Sequence, residues 1–431
     1  MSAATEPQPG PAGPDAVPPT TRIATLDIVR GVAVMGILAM NIVAYAMPFQ
    51  AYMNPVAYGD PGAADFASWL FGFIFIDGKM RGLFSFLFGA SVLLVMQRAE
   101  AKEEDPAEVH YRRMLWLLVF GMLHFYLIWF GDILVDYALM GMLAFFFREM
   151  PARKLIAWGI ALILVQLLVI SGLAASAMTL EAAALAPGAP AGTVAAWQDL
   201  ERQFGMLTTQ KASETLGLFG GSYPELVENR LLKKGLDPLV GLMMFGWETL
   251  GYMLLGMAAL KSGFLSGEWS DARYRKTVLI GYIVGVPVYA ALAWAYARSG
   301  FSATMTLALV MAATVPFRPL MVVATAALVI LLTRRGGALT GRVAAAGRAA
   351  FTNYLGTSIL MTSLFYGYGG GLFGVMGRAE LWLVVLAMWA LMLLWSKPWL
   401  DGYLYGPFEW LWRTLARGSL QPMRRRASLP A

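Results

Sequence analysis

The segment LIAWGIALILVQLLVISGLAASA, residues 155–177, decides the fold, because it runs for 23 residues without a charged side chain. A helix needs about 20 mostly apolar residues to cross the hydrocarbon core of a bilayer. Nine other segments have the same character, although 133–147 and 320–333 are short: 29–47, 82–97, 114–130, 133–147, 240–260, 278–296, 320–333, 349–366 and 381–397. Two more apolar stretches, 66–76 and 304–314, extend the range. The sequence therefore predicts an all-α polytopic membrane helix bundle of about ten transmembrane helices, with a range of roughly 10–12.

The composition of the whole chain supports this class. Of its 431 residues, 58% are hydrophobic and 14% charged, and the mean hydropathy is +0.60. Soluble proteins average about 25% charged residues, so an ordinary globular enzyme and a disordered protein are both excluded. The chain has no cysteine and two histidines, His110 and His124. A disulfide, a thiolate nucleophile and a multi-histidine metal site are thereby excluded, and no metal is expected.

The net charge of +6 is best explained by topology. Basic residues flank alternate apolar segments, which places both termini in the cytoplasm and makes nucleic acid an unexpected partner. We expect a disordered tail over 1–21, a transmembrane domain over 22–412 with a long extracytoplasmic loop at 178–239, and a basic cytoplasmic tail over 413–431. The predicted location is the cell membrane (inner or plasma), crossed many times, with the lipid bilayer as a partner.

Ionisable and amide side chains inside a span are costly unless they face protein or water, so they are the first candidates for a site. Near the start of the first span, Asp27 and Arg30 are three residues apart and are expected to pair. Asn41 falls about 20° from Arg30 around the same helix. These residues are candidates for substrate binding (Asp27, Arg30) and catalysis (Asn41). The alternative is an ion pair at the membrane edge plus an amide bond between helices.

Three charges interrupt the apolar sequence before the second span, at Asp77, Lys79 and Arg81. Gly78 and Gly82 permit a break, which predicts a re-entrant or broken helix lining a cavity. Lys79 and Arg81 are suited to hold an anion such as a carboxylate or phosphate. The alternative is an ordinary interfacial loop in which Asp77 is paired internally.

His124 lies seven residues before the turn at Gly131, as Asn41 lies seven residues before Pro48. The two side chains are thus expected at similar depth and could share an outward-facing pocket. A histidine inside the membrane is suited to act as general base, with Asp132 or Asp136 orienting it. The alternatives are a structural hydrogen-bonding histidine and a helix-capping role for Asp132.

Three further side chains complete the candidate set for substrate binding. Glu248, in the sixth span, requires a partner inside the membrane, as does the catalytic candidate Asp136. Arg318 lies in the turn between Pro316 and Pro319, and Tyr366 opens a Tyr-Gly-rich stretch. For the tyrosine, an aromatic belt at the membrane interface is the alternative.

Four segments in this order resemble the YeiB-like membrane proteins, a family filed as domain of unknown function 418. They are residues 26–41, 77–89, 124–141 and the pair 351–354 with 365–369, and together they extend over nearly the whole chain. That family looks like a branch of the transmembrane acyltransferase superfamily, with acyltransferase-three enzymes and heparan-alpha-glucosaminide N-acetyltransferase as relatives. The resemblance implies a bundle of ten or more helices and acyl transfer from a cytosolic acyl-CoA-type donor to an outward-facing small-molecule, lipid or glycan acceptor.

The chain departs from the superfamily pattern at the catalytic histidine. Acyltransferase-three proteins open with a similar Leu-Asp-x-x-Arg-Gly pattern and carry a histidine eleven residues after the arginine, where Asn41 stands in this chain. The acetyltransferase branch has its histidine in the loop after the first span, and residues 48–81 contain none. His124 is the histidine left inside the membrane. Two interpretations remain open: an acyltransferase in which Asn41 donates to the oxyanion, and a transporter of a small anionic or lipidic solute.

Overall fold

A computed structural model of the chain describes residues 23–425. The predicted tail over 1–21 and the end of the basic tail, including Arg426, lie outside the described residues. Between residues 23 and 425 the regular structure is helical, apart from one isolated antiparallel bridge between Tyr403 and Arg424. The all-α class is therefore confirmed.

The α-helices are α1 (Ala24–Ala46), α2 (Gln50–Met53), α3 (Ala63–Phe71), α4 (Lys79–Glu100), α5 (Pro106–Leu123), α6 (Leu134–Ala144), α7 (Ala152–Ala184), α8 (Ala191–Phe204), α9 (Thr209–Phe219), α10 (Tyr223–Leu232), α11 (Asp237–Lys261), α12 (Asp271–Arg298), α13 (Ala303–Met305), α14 (Arg318–Thr333), α15 (Ala338–Arg348), α16 (Ala350–Phe365), α17 (Arg378–Gly402) and α18 (Pro407–Arg417). Wider π-helical turns extend α3, α5 and α13 over Gly72–Ile76, His124–Ile128 and Thr306–Ala312, and a 3-10 turn, Phe145–Phe147, follows α6.

Each of the ten predicted spans coincides with a helix. Six helical segments are both long and apolar enough to cross a membrane: Ala24–Ala46, Ala63–Glu100, Ala152–Ala184, Asp237–Lys261, Asp271–Arg298 and Arg378–Gly402. Shorter apolar helices, Leu134–Phe147, Ala303–Ala312 and Arg318–Thr333, lie among them. Large apolar side chains on α7 and α12 remain exposed, such as Leu168 at 71% and Trp294 at 68%, as expected for a lipid-facing surface. The protein is a multi-pass helical membrane bundle.

Two predicted boundaries differ from the structure. The segment 178–239 is largely helical: α7 continues to Ala184, and α8, α9 and α10 follow before α11 begins at Asp237. These short helices carry their own start signals, as in α10, where Ser222 and Glu225 form a capping box. The first part of the basic tail belongs to α18, which begins with Pro407 at its first position and docks on α5 and α16.

Helix α4 packs against both α1 and α11 in the interior of the bundle. Two glycines allow α4 and α11 to approach closely: a Cβ at Gly256 would overlap the carbonyl of Phe86, and one at Gly89 would overlap the carbonyl of Met253. Small residues at the crossing point let backbones meet, which is how helices gain packing contacts in a lipid environment. This packing fixes α4 beside α11. It allows Arg81 of α4 to reach Glu248 of α11.

Candidate functional site

His124 and Asp132 form a buried pair. His124 Nδ1 lies 2.7 Å from Asp132 Oδ1, and the two side chains are 0% and 1% exposed. His124 begins the π-helical turn at the end of α5, while Asp132 precedes α6 and accepts the amide of Val135 at 2.9 Å. The predicted capping role of Asp132 and its predicted contact with His124 thus occur together. The short turn between α5 and α6 holds the pair in place.

The pair leaves one nitrogen of His124 open. A carboxylate at Nδ1 favours the tautomer with the proton on that nitrogen, so neutral His124 carries its lone pair on Nε2. Nε2 is buried and has no hydrogen-bond partner among residues 23–425. An imidazole oriented by a carboxylate through Nδ1 and open at Nε2 is the arrangement that general bases use in acyl transfer.

A cavity of about 460 Å³ lies on the side of the bundle that the basic clusters assign to the cytoplasm. Arginines from five elements line it together with two carboxylates: Arg30, Arg98, Arg113, Arg348, Arg413, Asp27 and Glu409. Its inner wall is apolar and aromatic, formed by side chains such as Phe84, Leu87 and Phe88 of α4. Such a combination suits an elongated ligand with an anionic head and an apolar or thioester end.

The predicted pair of Asp27 and Arg30 is confirmed. Arg30 Nη1 lies 3.1 Å from Asp27 Oδ1, and Arg30 Nη2 donates to Ser91 Oγ of α4 at 2.7 Å. The side chain of Arg30 is 21% exposed and lines the cavity. The ion pair thus both anchors α1 to α4 and presents a guanidinium to the cavity.

The C-terminal helix α18 closes one side of the same cavity. Glu409 accepts the amides of Phe351 and Thr352 at 2.6 and 3.1 Å and the Thr352 hydroxyl at 2.5 Å, at the start of α16. Trp412 donates to the carbonyl of Arg113 at 2.9 Å, and the Arg113 guanidinium lies 4.3 Å from its ring centroid. Burial raises the pKa of Glu409, although its hydrogen bonds act in the opposite direction. These residues were not among the sequence candidates.

Tyr354 of α16 stands between the cavity and His124. Its side chain lines the cavity, and its ring centroid lies 5.2 Å from that of His124. Its hydroxyl accepts the amide of Ile133 at 3.3 Å, beside Asp132 in the chain. The cavity therefore ends one aromatic side chain away from the His124–Asp132 pair.

Arg81, Glu248 and Arg318 come together from α4, α11 and α14. Glu248, 1% exposed, lies 2.5 Å from Arg81 through one oxygen and 2.5 Å from Arg318 through the other. Gly78, with φ +71°, makes room for the Arg318 guanidinium, which a Cβ there would overlap. Arg318 also donates to Thr314 Oγ1 at 2.8 Å. One carboxylate of the chain thus pairs with both Arg81, a predicted anion-binding cation, and Arg318, a candidate for substrate binding.

The break before α4 is confirmed, and its charges turn inward. Lys79 is fully buried, donates to the carbonyl of Phe73 and lies 3.3 Å from the ring centroid of Tyr289. Asp77 lines a small cavity of about 30 Å³ with Arg378. The broken helix is consequently a packed joint between α3 and α4.

Asp136 and Asn41 lie apart from the contacts of His124. Asp136 accepts the Thr249 hydroxyl of α11 at 2.5 Å, and its second oxygen has no partner in the described chain. Asn41 is buried on α1, one turn before Tyr45, whose ring stacks on Trp129 at 3.9 Å. Within residues 23–425, the hydrogen bond of His124 goes to Asp132 and to neither of them. The catalytic role of Asn41 stays a prediction.

Tyr366 is completely buried, so its side chain lies in the protein interior and outside any interfacial belt. Its ring packs against Phe219 of α9 at 4.9 Å and against Phe373 at 6.1 Å. Its hydroxyl has no partner in the described part of the chain. The same holds for Trp129 Nε1 and for Arg230 Nη2, two atoms that no sequence pattern singled out.

Comparison with known proteins identifies the family. A family profile described as "Protein of unknown function (DUF418)" matches residues 259–419. "Uncharacterized protein YeiB" of Escherichia coli (strain K12) is 33% identical, over 93% of this chain and 98% of its own length. The chain belongs to the DUF418 family. "Uncharacterized protein YxaH" of Bacillus subtilis (strain 168) is 31% identical to this DUF418 protein, over 95% of the chain and 97% of the relative.

A more distant relative has a similar extent. "Uncharacterized 39.9 kDa protein in amylase 3'region" of Bacillus acidopullulyticus is 25% identical, over 91% of the chain and 93% of its own length. The family profile covers Tyr354 and Glu409 but does not extend to His124 and Asp132. The similarity to these relatives extends over nearly the whole chain and is not confined to the C-terminal part that the family profile matches.

Proposed function

We propose that this DUF418 protein transfers an acyl group from a cytosolic acyl-CoA-type donor to an acceptor on the other side of the inner or plasma membrane. One observation carries the proposal: the His124–Asp132 pair lies behind Tyr354 at the inner end of an arginine-lined cavity of about 460 Å³. A base with an open nitrogen and a cavity for an anionic ligand are the two parts that acyl transfer needs.

The cavity is suited to the chemistry of the donor. An acyl-CoA has phosphates at one end and an apolar arm ending in a thioester at the other. Arginines such as Arg98 and Arg348 line the cavity with the apolar side chains of α4, and guanidinium groups bind phosphate well. A volume near 460 Å³ lies within the range of about 300–1,000 Å³ that is typical of ligand sites.

The proposed reaction uses His124 as base and then as acid. Nε2 removes the proton of an acceptor hydroxyl or amine, whose oxygen or nitrogen forms a bond to the thioester carbonyl carbon. The C–S bond then breaks, and the thiolate takes the proton back from His124. Asp132 stabilises the imidazolium, and the Tyr354 hydroxyl and Asn41 are the proposed donors to the oxyanion. Tyr354 must rotate for donor and base to meet.

Acetyl-CoA binding and thiol release test the proposal. Inverted membrane vesicles from cells producing the protein keep native acceptors available and expose the cytoplasmic side to acetyl-CoA. We expect His124→Asn to lower thiol release by about 10²–10⁴-fold with donor binding retained, and Asp132→Asn to lower it substantially. Asp271→Asn, a carboxylate at the first turn of α12 outside the cavity lining, is the control. Absence of saturable acetyl-CoA binding at millimolar concentration, or full activity of His124→Asn, refutes the proposal for this donor.

Transport of a small anionic or lipidic solute is the second candidate, favoured by the broken helix at Gly78. Discontinuous helices bind solutes in many transporters. A transporter must open alternately to both sides, so single cysteines lining the cavity should become reactive from each side in turn. Accessibility from the cytoplasmic side alone would exclude this candidate.

A further inference from the structure

Helix α10 is fastened over the end of the helix that carries His124. Tyr223 of α10 donates to the carbonyl of Leu127 at 2.9 Å, and Arg230 donates through Nη1 to the carbonyl of Tyr126 at 3.2 Å. In return, the Tyr126 hydroxyl donates to the carbonyl of Gly235 at 2.7 Å. The π-helical end of α5 leaves carbonyls without helical partners, and α10 supplies their donors. Helix α10 is therefore an ordered cap on the predicted extracytoplasmic side.

Arg230 is a buried cation without a counter-ion. It is 4% exposed, and no carboxylate of residues 23–425 lies within 4 Å of it. Its neighbours in electrostatic range are the hydroxyls of Tyr223, Tyr366 and Tyr368, and burial lowers its pKa. Nη2 has no partner in this part of the chain. Burying a guanidinium without a carboxylate is unfavourable, so an anionic group that arrives with a ligand would relieve it.

Three more polar atoms without partners lie in the same region. They are His124 Nε2, Trp129 Nε1 and the Tyr366 hydroxyl, each on a side chain exposed by 1% or less. The indole of Trp129 and the hydroxyl of Tyr366 are neighbours that do not meet hydrogen-bond geometry. The Trp129 ring centroid lies 6.3 Å from that of His124. Tyr368 connects Tyr366 to α10, because its ring centroid lies 6.0 Å from that of Tyr366 and 5.4 Å from that of Tyr223. Buried polar atoms rarely lack partners, so several together indicate a place where a ligand completes the hydrogen bonding.

We propose that Arg230, Trp129, Tyr366 and His124 form an acceptor subsite for an alcohol that carries an anionic group. Arg230 binds the anion, Trp129 and Tyr366 donate to ligand oxygens, and His124 Nε2 accepts the hydroxyl proton. The indole and guanidinium only donate, which selects for oxygen acceptors on the ligand. The reactive role of the hydroxyl rests on the proposed acyl transfer, whereas binding does not. The ligand enters by displacement of α10.

Binding from the extracytoplasmic side tests this proposal. Wild-type protein is reconstituted right side out in vesicles, and glycerol 3-phosphate, D-glycerate, glycerol or inorganic phosphate is added outside. We expect saturable binding of at least one of the two anionic alcohols, about tenfold tighter than glycerol or phosphate. Arg230→Gln should weaken it about tenfold or more, in line with the loss of one charge-assisted hydrogen bond. Arg202→Gln, which removes an exposed ion pair with Asp199 on α8, should leave it unchanged.

Two variants protect the test against misfolding of Arg230→Gln. Arg230→Lys keeps the charge and should restore part of the binding, while Trp129→Phe removes the indole N–H and should weaken binding several-fold. Equal binding by Arg230→Gln and wild type, equal affinity for glycerol, or no saturable binding of either anionic alcohol overturns the subsite. Binding with no thiol release refutes the transferase and leaves the subsite standing. Thiol release that is unchanged in Arg230→Gln refutes the subsite and leaves the transferase standing.

Discussion

Replacing Glu248 by glutamine should destabilise the bundle strongly, because this carboxylate pairs with two guanidinium groups in the interior of the bundle. Arg81 and Arg318 each lie 2.5 Å from one of its oxygens, with side chains 17% and 10% exposed. A hydrogen bond to a charged group contributes about 1.5–3 kcal/mol. The introduced amide would keep one oxygen as acceptor, but its NH2 group would face the second guanidinium. We expect the free energy of unfolding to fall by about 3–5 kcal/mol, the usual cost of breaking a buried pair.

The measurement is an SDS titration of purified protein in mixed micelles, with Glu108→Gln as the matched control. Glu108 pairs with Arg112 at 3.2 Å on the surface of α5, where it is 65% exposed, so its loss should cost less than about 1 kcal/mol. A double variant with Arg81→Gln should cost less than the sum of the single changes, since the residues are in contact. If Glu248→Gln is no less stable than Glu108→Gln, the network contributes nothing net to stability, and the reasoning fails.

Three other predictions concern packing, topology and pH. Gly256→Ala should destabilise the α4–α11 contact by a few kcal/mol, as overpacking does, whereas Gly172→Ala in open space on α7 should be neutral or slightly stabilising in the same titration. Because the chain has no cysteine, Ala186→Cys should react with a membrane-impermeant maleimide added outside intact cells, and Ala101→Cys should not; the opposite result inverts the topology. Burial raises the pKa of Glu409 above its ordinary 4.5, so α18 docks most strongly below that pH and loosens as the pH rises through the shifted value. Amide hydrogen exchange over 407–417, corrected for intrinsic rates, should become faster as the pH rises. Glu409→Gln should remove this pH dependence.

Local features of the fold were predictable from the sequence. Ten apolar segments, the Asp27–Arg30 pair and the break at Gly78 each depend on residues close together in the chain, where helical spacing decides. The short helices within 178–239 were missed, because in a largely polar segment their capping residues are weaker signals than apolar runs.

Contacts between distant helices were not predictable. Arg81 and Glu248 were both candidates, but 167 residues separate them, and nothing in either span indicates the partner. Tyr354 offered no signal beyond its place in the segment 351–354, since its importance depends on lying between a cavity and His124. Arg230 lies in the segment 178–239, which the sequence predicts to be a loop, and a basic residue in a loop normally faces water.

Whether a buried charged group already makes strong internal contacts separates the structural candidates from the functional ones. Arg81 and Arg318 share Glu248, although Arg318 Nε has no hydrogen-bond partner in the described chain, and Lys79 donates to a backbone carbonyl beneath an aromatic ring. For a solute to bind these cations, it must first break strong internal contacts, which lowers its apparent affinity by their full free energy. His124 Nε2 and Arg230 Nη2 have no such contacts within the described chain, so a ligand gains their hydrogen bonds without that loss. The central charges therefore favour a rigid joint, and a ligand should be sought at the two ends of the bundle, in the arginine-lined cavity and beneath α10.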